Sequence, residues 1–372
     1  MATETHLPAA QGAQVEALTC HAYEVPTDAP ESDGTLDWDS TTIVVVEVEG
    51  GGERGLGYTY GDRSVRTLIE SKLAGVVQGA DVLAPSAPWR AMRDAIRNAG
   101  QQGVGAMAVS AVDIALWDLK ARLLGVSLAD ALPRARDRVP VYGSGGFTSY
   151  SDERLREQLA GWTERGIPRV KMKVGREPER DCARVAVARE AVGPDVELMV
   201  DANGAYDRKR ALLWAERFAD QGVRYLEEPV SSDDLEGLRL IRDRGPAGVA
   251  IAAGEYGWDL PYFARMLDTG AVDILQADVT RCGGISALLR LDGMCIGRNV
   301  PFSAHCAPAV SVHACCAMES LVHLEYFHDH VRLEAMLFEG SLEPRGGALE
   351  PDRSRPGLGL ELRRADAERF EV

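Results

Sequence analysis

No run of about 18 apolar residues occurs anywhere in the 372-residue chain, so the sequence offers no membrane-spanning helix. The segment MATETHLPAAQGAQ has no basic start, apolar core or small-residue cleavage site, and export is therefore not expected. Seven scattered cysteines (Cys20, Cys182, Cys282, Cys295, Cys306, Cys315, Cys316) show no CxxC spacing, which speaks against a disulfide framework and a thiolate zinc site and for reduced thiols in the cytoplasm. No Lys/Arg cluster offsets the 57 acidic against 41 basic residues, and a net charge of −16 makes nucleic acid a poor partner. No Gly-rich GxGxxG loop follows any strand-like run, which argues against the rival architecture, an open doubly wound sheet binding a dinucleotide. An acidic small molecule would feel the same global repulsion, so a carboxylate substrate requires buried cations, from lysines or a metal.

What is present falls into two patterns. Residues 13–60 alternate strand-like stretches such as TTIVVVEVEG with the polar, Pro-bearing EVPTDAPESDGTLDWDS, and residues 64–125 read as helices ending in a Gly-capped turn, together an α+β domain over 1–135. From Val139 the pattern becomes apolar runs and amphipathic helices alternating about every 25 to 30 residues. Eight runs follow in order: VPVYGS, RVKMKV, VELMVDAN, VRYLEE, GVAIAAGE, VDILQAD, VPFSAH and VHLEY. Strict strand–helix alternation requires parallel pairing, and eight such units close into an α/β barrel, a modified (β/α)8 TIM barrel over 136–330. Residues 331–372 return to polar loops and LGLELRRADAERF, expected to pack back on the first domain.

Parallel barrels carry their chemistry at the C-terminal strand ends, and here nearly every run ends in an ionisable group: Lys171 and Lys173, Asp201 with Asn203, Glu227, Glu255, Asp278, His305 and Glu325. Asp201, Glu227 and Glu255 end three consecutive strands about 4.8 Å apart, so their carboxylates can converge. Three hard oxygen donors without Cys or His suit Mg²⁺. Lys171 and Lys173 share the inward face of one strand while Met172 points at the helices. A cationic neighbour and the metal should lower the pKa of Lys173 and make it a usable base. Asp278 and His305 end adjacent strands, a dyad in which the carboxylate fixes the imidazole. Counting round the barrel sets Lys173 and His305 on opposite sides of the mouth, with Glu325 near enough to bond a substrate carboxylate. His313, His323, His328 and His330 read as structural or solvated.

These residues resemble the enolase superfamily, and the His–Asp pair places the resemblance with the mandelate racemase group. It rests on VKMKVG, VDANG, LEEP, AGE, QADVTRCGG, SAHCAP and HLEY, with AVSAVDIALWDLKARLLG similar to the capping-domain helix and PGLGLE to the C-terminal return. The resemblance implies Asp201, Glu227 and Glu255 as Mg²⁺ ligands, Lys173 and the His305–Asp278 dyad as acid/base pair with Lys171 beside them, and Glu325 as a hydrogen-bond donor to the enediolate formed when the α-proton leaves. Substrate choice would come from capping loops 24–40 and 58–64, with Trp38, Tyr60, Asp62 and Asn203 as contacts. The implied activity is dehydration of an acid sugar to a 2-keto-3-deoxy acid, with racemisation, epimerisation or cycloisomerisation as alternatives, in a homo-oligomer acting on a small carboxylate without nucleic acid or membrane. A metal-stabilised binding or scaffold barrel is the reading from a different class.

Overall fold

The structure, a computed structural model, describes residues 12–372. Most of the N-terminal stretch MATETHLPAAQGAQ, on which the expectation about export rests, lies outside the described residues. Among the described residues no helix is long and apolar enough to cross a membrane.

The first part of the chain is an antiparallel sheet of β1 (Ala17–Ser32), β2 (Asp37–Gly50) and β3 (Glu53–Tyr60). Its β-branched run Ile43–Val46 is wholly buried because the helix Val104–Leu123 covers it. That helix is apolar nearly all round, as a helix with no solvent face must be. Its other side meets the barrel helix Ile285–Ile296, where Trp117 donates to Ser286 Oγ at 2.9 Å and the Asp113 carboxylate accepts from the Ser286 backbone and hydroxyl. Asp118 on the same helix accepts from Leu56 N on β3 and from Leu358 N in the C-terminal segment. The chain end is drawn back here too: Val372 N donates to Ala22 O.

The Pro-bearing segment 24–40 departs from the loop expected for it. It is a hairpin extension of β1 and β2, irregular only between Pro26 and Glu31 and turning at Asp33–Leu36, where Asp33 Oδ1 accepts from Thr35 N and Leu36 N. Pairing with β2 supplies the backbone partners that propensity did not announce.

Eight parallel strands follow: β4 (Val139–Gly145), β5 (Arg169–Lys173), β6 (Glu197–Asp201), β7 (Val223–Glu227), β8 (Ala250–Ala253), β9 (Ile274–Asp278), β10 (Phe302–His305) and β11 (Leu321–Phe327). Each pairs with the next and β11 pairs with β4, so the sheet is a closed barrel and the open doubly wound alternative is excluded. Side-chain caps begin the outer helices where the sequence supplies them, at Ser151, Asp207, Asp234 and Asp259. Tyr142, Met199, Tyr225 and Ala252 fill the barrel interior below the charged rim.

Candidate active site

Register sets the rim. Lys173 is paired with Asp201 and Asp201 with Glu227 across β5, β6 and β7, and His305 with Asp278 across β10 and β9, so these side chains emerge at one level. β8 stops at Ala253, two residues before Glu255. Gly254, at φ +135°, makes the turn, and a Cβ there would stand 2.0 Å from Gln276 O, so only glycine lets the chain pass β9 so closely and still present Glu255. Three further strand ends carry non-glycine residues at positive φ, Asn203 (45°), Glu228 (40°) and Cys306 (48°), a strained backbone of the kind that clusters at functional sites.

Ligand atoms of Asp201, Glu227 and Glu255 lie within 4.8 Å of one another, all buried. Lys171 Nζ, fully enclosed, donates to Glu227 Oε2 at 2.7 Å and pairs with Glu325 Oε1 at 2.9 Å and Asp201 Oδ2 at 3.5 Å. Lys173 Nζ donates to Asp201 Oδ2 at 2.6 Å. Two ammonium groups do not balance this many acids. Burial and Asp201 push Glu227 above the usual carboxylate range in spite of Lys171, and burial with Glu255 pushes Glu228 up further. Glu227 Oε1 and Asn203 Oδ1 are buried without a hydrogen-bond partner. Unneutralised charge, orphaned hard oxygens and a donor set of carboxylates alone fit a magnesium-type cation.

Burial disfavours the Lys173 ammonium, but Asp201, Glu255 and Glu227 together outweigh burial and raise its pKa; the lowering expected of it belongs to the site with a cation on Asp201. Burial raises the Glu325 carboxyl, but Lys171 and His305 outweigh burial and draw its pKa down.

Across the cavity His305 Nδ1 is 2.7 Å from Asp278 Oδ2, and Nε2 is 2.8 Å from Glu255 Oε2 and 3.4 Å from Glu325 Oε2. Asp278 is itself fixed by Thr280, whose N and Oγ1 both donate to Oδ1 at 2.7 Å. Burial opposes the imidazolium, but Cys306, Glu255, Glu325 and the Asp278 bond outweigh it and raise the His305 pKa.

Lys173, Asn203, Glu255, His305 and Glu325 line one cavity of ≈ 320 Å³ with Trp38, Tyr60 and Asp62. Lys171, Asp201, Glu227 and Asp278 lie beneath it, reached through their partners. The hairpin roofs the cavity. Gly34 sits so close to the ends of β5 and β6 that a Cβ would stand 2.4 Å from Ala202 O and 2.8 Å from Val174 O. Thr148, just after β4, donates to Ser32 O and Asp33 O. Trp38 donates to Glu31 Oε2 at 2.8 Å and packs edge-on against Phe147. Tyr60 lies stacked on His330 at a centroid distance of 3.5 Å, which moves His330 from the structural group to the cavity wall; Asp62 is exposed at the rim.

Arg281, Cys306 and Asp329 also line the cavity and were not singled out in the sequence. Arg281 Nε is 3.6 Å from Asp278 Oδ2 and its guanidinium faces the Tyr256 ring. It stands inside the QADVTRCGG motif, three residues after Asp278, and that spacing was its available signal. Asp329, which accepts from Thr41 of β2, had no such signal because its partner comes from the other end of the chain.

Comparison with known proteins agrees with this geometry. Residues 21–132 match the mandelate racemase / muconate lactonizing enzyme N-terminal domain and residues 154–367 the enolase C-terminal domain-like family. The chain is 30% identical to D-galactarolactone cycloisomerase of Agrobacterium fabrum, over 96% of this chain and 99% of that one. It superposes on a crystal structure of a mandelate racemase/muconate lactonizing enzyme-like protein from Rubrobacter xylanophilus at a TM-score of 0.95, 69% identical over 96% of this chain and all of that one. It also superposes on L-talarate/galactarate dehydratase from Salmonella typhimurium LT2 liganded with Mg and L-lyxarohydroxamate, at a TM-score of 0.88 and 28% identity, covering 100% of this chain and 96% of that one. The chain therefore belongs to the enolase superfamily, in the mandelate racemase/muconate lactonizing enzyme family.

Proposed function

We propose that the protein is a magnesium-dependent dehydratase that takes the α-proton from an acid sugar and expels its 3-hydroxyl, giving a 2-keto-3-deoxy acid. The observation that carries this reading is an imidazole, His305 buttressed by Asp278, lining the same cavity as Lys173 and as Glu255, which is one of a trio of converging buried carboxylates. Asp201, Glu227 and Glu255 would hold the ion, which when bound supplies positive charge to the substrate carboxylate as the α-proton leaves.

The rest falls to the chain's own groups. Lys173, in its neutral form, is the base on one side. His305 donates a proton to the departing hydroxyl from the other, and Asp278, fixed by Thr280, keeps its Nε2 aimed at the cavity. Lys171 anchors Glu325 and Glu227 from below. Trp38, Tyr60, Asp62 and Asn203 contact the polyol, and the roofed cavity of ≈ 320 Å³ excludes bulk water from it. The reading carries with it a cytoplasmic homo-oligomer acting on a small carboxylate, and a net charge of −16 speaks against nucleic acid as a partner.

Cycloisomerisation is the second reading, favoured by the cycloisomerase relative that matches almost end to end. The same imidazolium returning its proton to the α-carbon would instead give a racemase or epimerase. A library of hexonic, hexaric and 6-deoxy acid sugars with Mg²⁺, assayed with semicarbazide for 2-keto acids and by NMR for ring opening and deuterium uptake, separates them. Keto acid from at least one sugar is expected, with His305→Asn lowering the rate by about 10² to 10⁴. Inversion at carbon 2 or lactone isomerisation without keto acid would replace dehydration by the corresponding alternative.

A further inference from the structure

His305 Nε2, Cys306 Sγ and Glu325 Oε2 form a nearly equilateral triangle at the cavity wall. The edges are 3.3 Å from Sγ to Nε2, 3.3 Å from Sγ to Oε2 and 3.4 Å from Nε2 to Oε2. A tetrahedral zinc ion, with Zn–S about 2.3 Å and Zn–N or Zn–O about 2.0 to 2.2 Å, has ligand–ligand edges of roughly 3.3 to 3.6 Å. The three atoms thus already stand at the spacing of one face of a zinc tetrahedron. All three residues line the cavity, so the fourth position faces space that water or a substrate oxygen can fill.

Each ligand is also oriented from behind. Asp278 holds His305 through Nδ1 at 2.7 Å, leaving Nε2 forward, and Lys171 holds Glu325 through Oε1 at 2.9 Å, leaving Oε2 forward. Carboxylate-backed imidazole is the outer-sphere arrangement that metal-ligating histidines use. Cys306 is held by the backbone: it sits at φ 48°, and its carbonyl accepts from Ser311 Oγ at 2.8 Å.

We propose that His305, Cys306 and Glu325 are a second, thiophilic metal site, selective for zinc(II)-class cations and distinct from the carboxylate trio, and that zinc bound there shuts the enzyme off. Donor chemistry separates the two sites. Asp201, Glu227 and Glu255 offer only hard oxygens, whereas this site offers nitrogen, sulfur and oxygen, a set Mg²⁺ does not favour and Zn²⁺ does. Charge balances: zinc displaces the thiol proton and the Nε2 proton to solvent, and thiolate and carboxylate together neutralise the dication. Zinc on Nε2 also replaces the proton that Nε2 shares with Glu255 Oε2 at 2.8 Å. Inhibition rests on His305 acting as proposed above; binding does not.

The test is titration of the full chain, saturated with Mg²⁺, by Zn²⁺ in a calorimeter and by Co²⁺ in the spectrophotometer. The expected result is one zinc site that excess Mg²⁺ does not displace, and a near-ultraviolet thiolate-to-cobalt charge-transfer band. Cys306→Ser should lose the band and bind zinc more weakly by over the roughly 10- to 100-fold that an outer-sphere partner alone is worth. If Cys306→Ser folds poorly, the band in the wild-type protein and its loss on alkylating Cys306, located by peptide mapping, read the same ligand. Cobalt binding to the Mg²⁺-saturated wild type without a charge-transfer band, or a band and zinc affinity unchanged in Cys306→Ser, would overturn the site. Zinc that binds without stopping turnover of an identified substrate would overturn the inhibition alone. A protein that turns over no library member but binds zinc as described contradicts the proposed reaction and leaves the site standing.

Discussion

At the barrel rim ionisable groups are buried and crowd against one another, whereas the hairpin above them reaches the same cavity through backbone docking, aromatic packing and solvent-exposed ion pairs such as Asp37 with Arg176 and Asp28 with Arg154. Lys171 is wholly enclosed among three carboxylates. Trp38 leans on Phe147, and Gly34 touches the barrel through main-chain atoms. The rim is preorganised because its charges cannot move without stranding one another in a low dielectric. The hairpin is held by a few hydrogen bonds and by exposed ion pairs that solvent screens. Chemistry on the buried charged part and recognition on the less tightly held one is the division this difference teaches.

The sharpest way to test the division is at the rim. Glu255→Gln replaces an anionic ligand by an amide and removes the partner of His305, so Mg²⁺ affinity by calorimetry should fall sharply and kcat/KM by about 10³ or more. Unchanged metal affinity would dissociate Glu255 from the trio.

Lys171→Met should be felt chiefly as stability. Removing one member of a buried ion-pair network costs about 3–5 kcal/mol, read as a lower denaturant midpoint. A loss under about 1 kcal/mol would mean that Glu227 and Glu325 relax by taking up protons, and that the rim is softer than its geometry implies.

Gly34→Ala is the matching test of the hairpin. Its new methyl meets Ala202 O at 2.4 Å, and overpacking of this kind costs about 1–3 kcal/mol. Because the tip can lift, the expected outcome is a KM raised about tenfold with Tm nearly unchanged. A Tm loss as large as that of Lys171→Met would show that the hairpin is as integral as the rim.

The smallest effect is a pH dependence at the seam between the two parts. Burial pushes Glu334 up to about 8, although Tyr58 of β3 donates to its Oε1 at 2.6 Å. Between its ordinary value near 4.5 and about 8, the folded protein binds a proton that the unfolded chain does not. Glu334 therefore contributes a loss of stability as pH rises through that window, at a limiting slope of about 1.4 kcal/mol per pH unit. Glu334→Gln should flatten that part of the stability–pH profile, and superimposable profiles would remove Glu334 from the seam.

The sequence by itself determined the barrel and the order of its rim. Short apolar runs ending in Asp201, Glu227, Asp278, His305 and Glu325 are local patterns, and parallel pairing turns equal position on successive strands into proximity in space. Composition likewise held no helix fit for a bilayer. Tertiary structure alone decided the charge pairs: KxK cannot say that Lys173 will meet Asp201, nor HLEY that Glu325 will lie between Lys171 and His305, because those contacts join residues distant in the chain. It also decided the roof. Asp33-Gly34 marks a turn, but nothing near it announces docking on the ends of β5 and β6, and nothing around His330 announces Tyr60. A strand pattern is written in side chains a few residues apart, whereas these contacts join backbone and rings separated by over a hundred residues, and only the closed barrel brings them together.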